Sequence, residues 1–202
     1  MINTVIFDIG NVLVDFDWDG YMSRMFPGQE ELISELDEAV WGNRRWDRLD
    51  AGDDPEEVFA SIIAHAPHRE HELRKVFANV GDTLRKRKET PSWINGLKQR
   101  GYRVLYLSNY SRYVMKCNPE VLDCVPLMDG GIFSCDVKLI KPDPKIYELL
   151  AEKYSLKPSE CVFIDDLERN VKAGIDFGFH GIQFVTLRQA QNDLNKLLEE
   201  EK

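Results

Sequence analysis

Thr4-Val5-Ile6-Phe7-Asp8-Ile9-Gly10-Asn11 is the stretch from which the architecture is read. A short run of β-branched and aromatic residues leads straight onto a carboxylate, which suits a parallel strand buried on both faces. Two later stretches repeat the pattern. Arg103 to Leu107 ends at Ser108-Asn109, and Cys161 to Ile164 ends at Asp165-Asp166. Helix-like sequence precedes each of them: Ser92 to Arg100, stopped by Gly101, and Asp143 to Tyr154. Strands alternating with helices indicate an α/β fold with an open sheet, whose ligands sit beyond the carboxyl ends of the strands. The polar residues that close the three runs are therefore expected to meet in one crevice.

About ninety residues with no convincing strand separate the first of these runs from the second. Helical periodicity appears there instead, in Gln29 to Trp41, Pro55 to Ala66 and His68 to Asn79. A stretch this long is not a structureless loop. Residues 18–88 are read as a helical insert that covers the crevice, with 1–17 and 89–202 forming the core. After the third run, Leu167 to Phe177 reads as a helix, Gly181 to Val185 as an edge strand and Leu187 to Lys202 as a charged terminal helix.

The chain has 202 residues, 43% apolar and 30% charged, enough for one substantial core with room for a small appended domain. Its formal charge of −9 argues against nucleic acid or anionic lipid as a partner, so an anionic ligand needs a local positive site. The apolar runs are strand-sized, far short of the roughly 20 residues of a membrane helix. Met1-Ile2-Asn3 lacks the basic segment of a secretory leader. Cys117, Cys124, Cys135 and Cys161 form no CxxC pair and are expected to be reduced thiols in a cytoplasmic protein.

Taken together, the strand ends supply what phosphoryl transfer to a carboxylate requires, namely positioning and charge neutralisation. Asp8 leaves its strand into a turn that Gly10 is expected to ease. A dianionic phosphate and an anionic nucleophile repel, so a divalent cation with hard oxygen ligands is needed between them. Asp8 and Asp166 can supply such ligands, and a backbone carbonyl near Gly10 another. Ser108 can hydrogen-bond phosphoryl oxygens, and Lys141 offers a mobile positive charge. Adjacent aspartates at the end of an apolar strand repel each other unless a cation or lysine intervenes.

The segments Val5 to Leu13, Leu107-Ser108-Asn109, Lys141 to Tyr147 and Val162 to Asp166 resemble, in order, the four motifs of haloacid dehalogenase-like hydrolases. The resemblance runs from Thr4 to about Val185. It implies a Rossmann-like core with a helical cap inserted after the first motif, and a Mg2+-dependent phosphatase acting on a small phosphorylated metabolite. It also implies Asp8 as nucleophile, Ser108 as phosphate ligand, Lys141 as charge stabiliser and Asp166 as magnesium ligand, with Asp165 and Asn170 in support. The Asp-Asp-x-x-x-Asn form argues against the metal-free dehalogenases of the superfamily.

One departure stands out. Most phosphatases of the family carry a second Asp two residues after the nucleophile to protonate the leaving group, and here that position is Gly10. General acid catalysis is worth about 10²- to 10⁴-fold, so its absence favours a good leaving group. The phrase Phe7 to Val12 resembles a branch that includes glucose-1-phosphate phosphatases, for which an anomeric oxygen relaxes that need. The competing readings are a pseudoenzyme that binds phosphorylated ligands or a partner, and a phosphotransferase or phosphomutase using the same aspartyl phosphate.

Weaker signals surround this set. Trp41-Gly42-Asn43-Arg44-Arg45-Trp46 combines aromatics with arginines, either as a sugar phosphate pocket with Arg44 on the substrate or as packing with solvated charges. Asn109 and Arg112 follow the second motif and are candidates to touch substrate. His65, His68 and His71 recur every third residue without completing a zinc site. Arg85 to Lys88 reads as a solvated basic hinge.

Overall fold

The computed structural model describes residues 1–200, so Glu201 and Lys202 of the expected terminal helix lie outside the described residues. In chain order the elements are β1 (Thr4–Phe7), β2 (Val14–Phe16), α1 (Trp18–Met25), α2 (Glu30–Trp41), α3 (Asp47–Asp50), α4 (Pro55–His65), α5 (Glu70–Ala78), β3 (Leu84–Lys86) and α6 (Thr90–Gln99). There follow β4 (Arg103–Ser108), α7 (Arg112–Cys117), β5 (Gly131–Phe133), α8 (Ser134–Val137), α9 (Pro144–Tyr154), β6 (Cys161–Asp165), α10 (Glu168–Phe177), β7 (His180–Gln183) and α11 (Leu187–Glu200). A five-stranded parallel sheet runs in the order β5-β4-β1-β6-β7, flanked by helices in the manner of a Rossmann-like α/β fold.

β1 is central, and Val5, Ile6 and Phe7 are 0% exposed. Its side chains divide between the sheet's faces with the period of two that a strand imposes. Val5 and Phe7 pack with Trp93, Ile94 and Leu97 of α6 and with Leu194 and Leu198 of α11. Ile6 packs with Ile146, Tyr147 and Leu150 of α9 on the other side. Phe7 meets the edge of Trp93 at 4.7 Å between centroids. Truncating such a buried aromatic to alanine costs about 3–5 kcal/mol, because a cavity remains.

The stretch between β1 and β4 does contain strands, which corrects the expectation of none. β2 and β3 pair antiparallel, with Asp15 opposite Arg85 and Phe16 opposite Leu84, so the two ends of the helical stretch α1 to α5 are tied side by side. At three residues each, Val-Asp-Phe and Leu-Arg-Lys are too short for their periodicity to register. β5, Gly-Ile-Phe, was likewise unforeseen. In the basic run Arg85, Lys86 and Lys88 are exposed, Lys86 pairing with Asp123, while Arg87 is drawn in, donating to Asp15 and to the Val12 carbonyl and lying over Phe184.

Within α1 to α5, local signals set the helix starts. Asp17 caps α1 through Gly20 N at 2.9 Å, and Asp54 caps α4 through Glu56 N at 2.9 Å with Pro55 in the first turn. Leu36, Val40, Met22, Ile62 and Leu73 form the apolar interior of this stretch, and Phe59 stacks on Phe77 at 4.1 Å. No helix among the described residues is long and apolar enough to cross a membrane.

Candidate functional site

Phe7 is aligned with Tyr106 of β4 on one side and Ile164 of β6 on the other, so the chain emerges one residue later with Asp8 between two strand tips. The Asp8 amide still donates to the Ile164 carbonyl at 2.8 Å. Ser108 closes β4 and Asp165 closes β6. Parallel register therefore collects Ser108, Asp8 and Asp165 at one end of the sheet.

Lys141 reaches this point from the loop before α9, and its entry is set by Asn109. The Asn109 side chain accepts from Lys141 N at 2.8 Å and donates to Lys141 O at 3.0 Å, so both ends of the amide are committed to the lysine's main chain. The Lys141 ammonium is 0% exposed and uses all three donors: Asp165 Oδ2 at 2.6 Å, the Leu107 carbonyl at 2.7 Å and Asp8 Oδ1 at 2.9 Å. Asp165 is saturated as well, accepting from Leu167 N and, at both oxygens, from Asn170 Nδ2. Tyr147 donates to the Asn170 carbonyl from below.

The turn after Asp8 differs from expectation. Gly10 is not in the left-handed region, and Asn11 occupies it instead with φ 57°. Asparagine tolerates that conformation better than most residues. Its side chain accepts from Phe16 N at 3.1 Å and donates to Asp166 Oδ2 at 3.2 Å, tying the turn to the second aspartate. A Cβ built on Gly10 meets nothing within 4 Å, so the position is open to a side chain.

Three carboxylates stand near one buried ammonium, and the imbalance shows in the titration of Asp8 and Asp166. Burial pushes Asp8 up to about 7 against the pull of Lys141, and Asp165 adds to the rise. Burial also raises Asp166, with Asp165 contributing. For Lys141 burial opposes the charge, but Asp165 and Asp8 outweigh it and hold the lysine protonated. Among the described residues, Asp8, Asp165 and Asp166 are the one acidic, thiol or imidazole group close enough to hold a metal ion, with ligand atoms within 4.8 Å of one another. Since Asp165 is saturated, Asp8 and Asp166 are the members with oxygens to offer. The donor set is all oxygen, as magnesium prefers, and the excess negative charge is what a divalent cation relieves. His65, His68 and His71 form no such group among the described residues.

Ser108 Oγ is fully buried, near enough to Asp8 to lower its titration, and makes no well-formed hydrogen bond. It does not cap α7, a role taken by Ser111 through Val114 N. The Tyr110 hydroxyl is also buried without a partner. Arg44 is exposed and paired with Asp47 at 2.5 Å, not with the strand-tip carboxylates. Arg45 donates to the Glu38 and Ala39 carbonyls at the end of α2, and Arg112 pairs with Asp136. Trp46 is buried among Trp18 and Trp41, so the aromatics of this stretch pack against one another.

Sequence reasoning passed over Asn11, Tyr110 and Asp50. For Asn11 the signal was present, an asparagine after glycine in a tight turn. For Asp50 none was: it stands in α3 among Asp47, Asp53 and Asp54, indistinguishable from them in the sequence.

A family model described as haloacid dehalogenase-like hydrolase matches residues 2–178. D-ribitol-5-phosphate phosphatase of Bacteroides thetaiotaomicron is 28% identical over 193 residues, covering 91% of this chain and 92% of that one. Two other curated relatives, both from mouse, are matched over only 6% and 12% of their own length. Among solved structures, a predicted HAD-like family hydrolase from Porphyromonas gingivalis superposes with a TM-score of 0.75 at 22% identity, over 98% of each chain. A HAD family enzyme from Bacteroides thetaiotaomicron, in complex with magnesium and inorganic phosphate, gives 0.71 at 20% identity, over 91% of this chain and 94% of that one.

Proposed function

The chain belongs to the haloacid dehalogenase-like hydrolases, and from that premise we propose that it is a magnesium-dependent phosphatase of small phosphate esters, with Asp8 as the transiently phosphorylated residue. One observation carries the reading. The buried Lys141 is fully occupied by Asp8 Oδ1, Asp165 and Leu107, which leaves Asp8 Oδ2, Asp166 and the unpartnered Ser108 hydroxyl for ligands.

Asp8 attacks phosphorus, its other oxygen steadied by Ile9 N at 2.7 Å and by Lys141. Ser108 donates to a phosphoryl oxygen. Lys141 offsets charge on the nucleophile and the transferring group, and Asn109 acts by fixing the lysine's main chain. Asp8, Asp166 and the Gly10 carbonyl would hold magnesium, which when bound would supply the positive charge that lets a dianion approach a carboxylate. Asp165 and Asn170 keep Lys141 and the metal carboxylates in register. The Asp165-Asp166 pair followed by Asn170 supports a phosphatase over a metal-free dehalogenase.

Residues 18–88 act as the cap and set selectivity, Arg44 included, while the core performs the chemistry. The relative named for D-ribitol 5-phosphate supports a small polyol or sugar phosphate as substrate. A hexose 1-phosphate is the member of that class that depends least on a side chain at position 10. The four cysteines are free.

Phosphate release from a panel containing D-ribitol 5-phosphate, hexose 1-phosphates and hexose 6-phosphates tests the reading. Magnesium-dependent turnover is expected, with Asp8→Asn lowering it by about 10⁴-fold or more while the fold persists. Undiminished hydrolysis by Asp8→Asn, or full activity in a chelator, would remove the proposed mechanism.

A further inference from the structure

The proposed reaction lacks a proton donor, since Gly10 has no side chain and the nearby acids of the β2 strand and its exit are committed elsewhere. Asp15 is ion-paired with Arg87, and Asp17 caps α1 while pairing with Arg24. Asp50 differs from both.

It closes the single turn α3, and that turn is docked on the core. The Asp50 carbonyl accepts from Ser134 Oγ at 2.5 Å, and the Ser134 Oγ in turn accepts from Tyr110 N at 3.0 Å. Two residues on, Gly52 has φ +82°, and a Cβ there would stand 2.5 Å from the Cys135 carbonyl, so the chain passes flush against the start of α8. The backbone carrying Asp50 is thus fixed to the strand-end side of the sheet.

Its carboxyl group is the exception in its neighbourhood. Asp47 pairs with Arg44, Asp53 pairs with Arg48, and Asp54 caps α4. Among the described residues the half-buried Asp50 carboxyl has neither an ion pair nor a hydrogen bond. The charged groups acting on it are Asp47 from its own turn and Asp8 and Lys141 from the strand tips, and its own charge is felt by the Tyr110 hydroxyl and the Cys135 thiol. The buried, unpartnered Tyr110 hydroxyl feels the charge of both Asp50 and Asp8.

We propose that Asp50 is the proton donor of this site, delivered to the leaving-group oxygen from the helical segment in place of the side chain Gly10 lacks. The inference rests on the phosphatase reading above. In the first step an Asp8 oxygen bonds to phosphorus, the phosphorus–oxygen ester bond breaks, and the Asp50 proton passes to the departing oxygen to give the alcohol and an Asp50 carboxylate. In the second, that carboxylate takes a proton from water as the water oxygen bonds to phosphorus and Asp8 departs, yielding inorganic phosphate and the acid restored. Burial, with Asp47 and Asp8 adding to it, holds the Asp50 carboxyl up to about 8, so it carries its proton at neutral pH. Matching a donor to the working pH in this way is what general acid catalysis favours.

The test measures alcohol release in the first turnover by the wild-type protein, Asp50→Asn and Asp50→Glu, with magnesium, on aryl phosphates of graded leaving-group pKa and on D-ribitol 5-phosphate. For Asp50→Asn the alkyl ester is expected to slow by about 10²- to 10⁴-fold, p-nitrophenyl phosphate by less than about tenfold, and the dependence on leaving-group pKa to steepen. Asp50→Glu should restore part of the flatter dependence, which a merely structural role would not predict. Equal losses on aryl and alkyl esters, or no loss, would overturn the assignment of Asp50 while leaving Asp8-dependent turnover intact. Absence of Asp8-dependent turnover in the wild-type protein would overturn the phosphatase reading and this inference with it.

Discussion

The strand tips and the helical stretch α1 to α5 satisfy their charged groups in opposite ways. At the tips, Lys141 and Asp165 are both 0% exposed, and their donors and acceptors are answered by fixed partners from four segments of chain. In the helical stretch, Arg44 and Arg74 keep 62% of their side chains exposed while pairing with acids three or four residues away. A buried network of this kind cannot lose one member cheaply, because the partner left behind stays charged and dry. An exposed pair exchanges protein for water at little cost. The arrangement holds the strand-tip groups rigid and leaves the surface charges of α1 to α5 free to vary.

The sharpest way to break this contrast is Lys141→Ala. It should destabilise the protein by about 3–5 kcal/mol in urea unfolding, since Asp8 and Asp165 then face each other without a counter-charge. A cost below about 1 kcal/mol would mean that the buried group is screened like a surface pair.

A smaller effect should come from magnesium. Folding raises Asp8 from 3.8 to about 7, chiefly by burial, so between those values the native metal-free protein holds a proton that the unfolded chain has lost. Its stability therefore falls as pH rises through that window. Magnesium has to displace the proton, so the thermal shift it produces should be larger at about pH 8, where the proton is gone and about 2.7 kcal/mol is expected at a hundredfold excess over Kd, than at about pH 5.5. Asp166→Asn should shrink the shift at both pH values. An equal shift in that variant would take Asp166 out of the cation site.

The smallest effect is expected at Arg44→Ala. The melting temperature should stay within about 2 °C of wild type, and turnover of a small aryl phosphate should be unchanged while sugar phosphate preference moves. A parallel loss on both substrates would join Arg44 to the strand-tip machinery and erase the distinction between the two regions.

β1, β4 and β6 were legible because each is an apolar run ending on a polar residue, and burial on both faces demands that composition. Asp8, Ser108, Lys141 and the Asp165-Asp166 pair were legible as a set because several strand ends share one chemistry. β2 and β3 were not, since three-residue strands bearing Asp15, Arg85 and Lys86 owe their existence to each other and not to a pattern of their own. Glycine at position 10 suggested the strained residue of the turn, yet the strain sits on Asn11, whose side chain is held in place by Phe16 N and Asp166, 155 residues away.

By itself the sequence determined the parallel α/β core and the polar residues that close its strands, because strand composition and strand-end chemistry are local properties of the chain. Only the tertiary structure decided which of the remaining acids matter. Asp15, Asp17, Asp47, Asp53 and Asp50 are chemically alike, and what separates them is whether a neighbouring arginine or helix start has already claimed the carboxylate. That depends on how distant segments pack, and packing leaves the half-buried Asp50 carboxyl with no such claim on it.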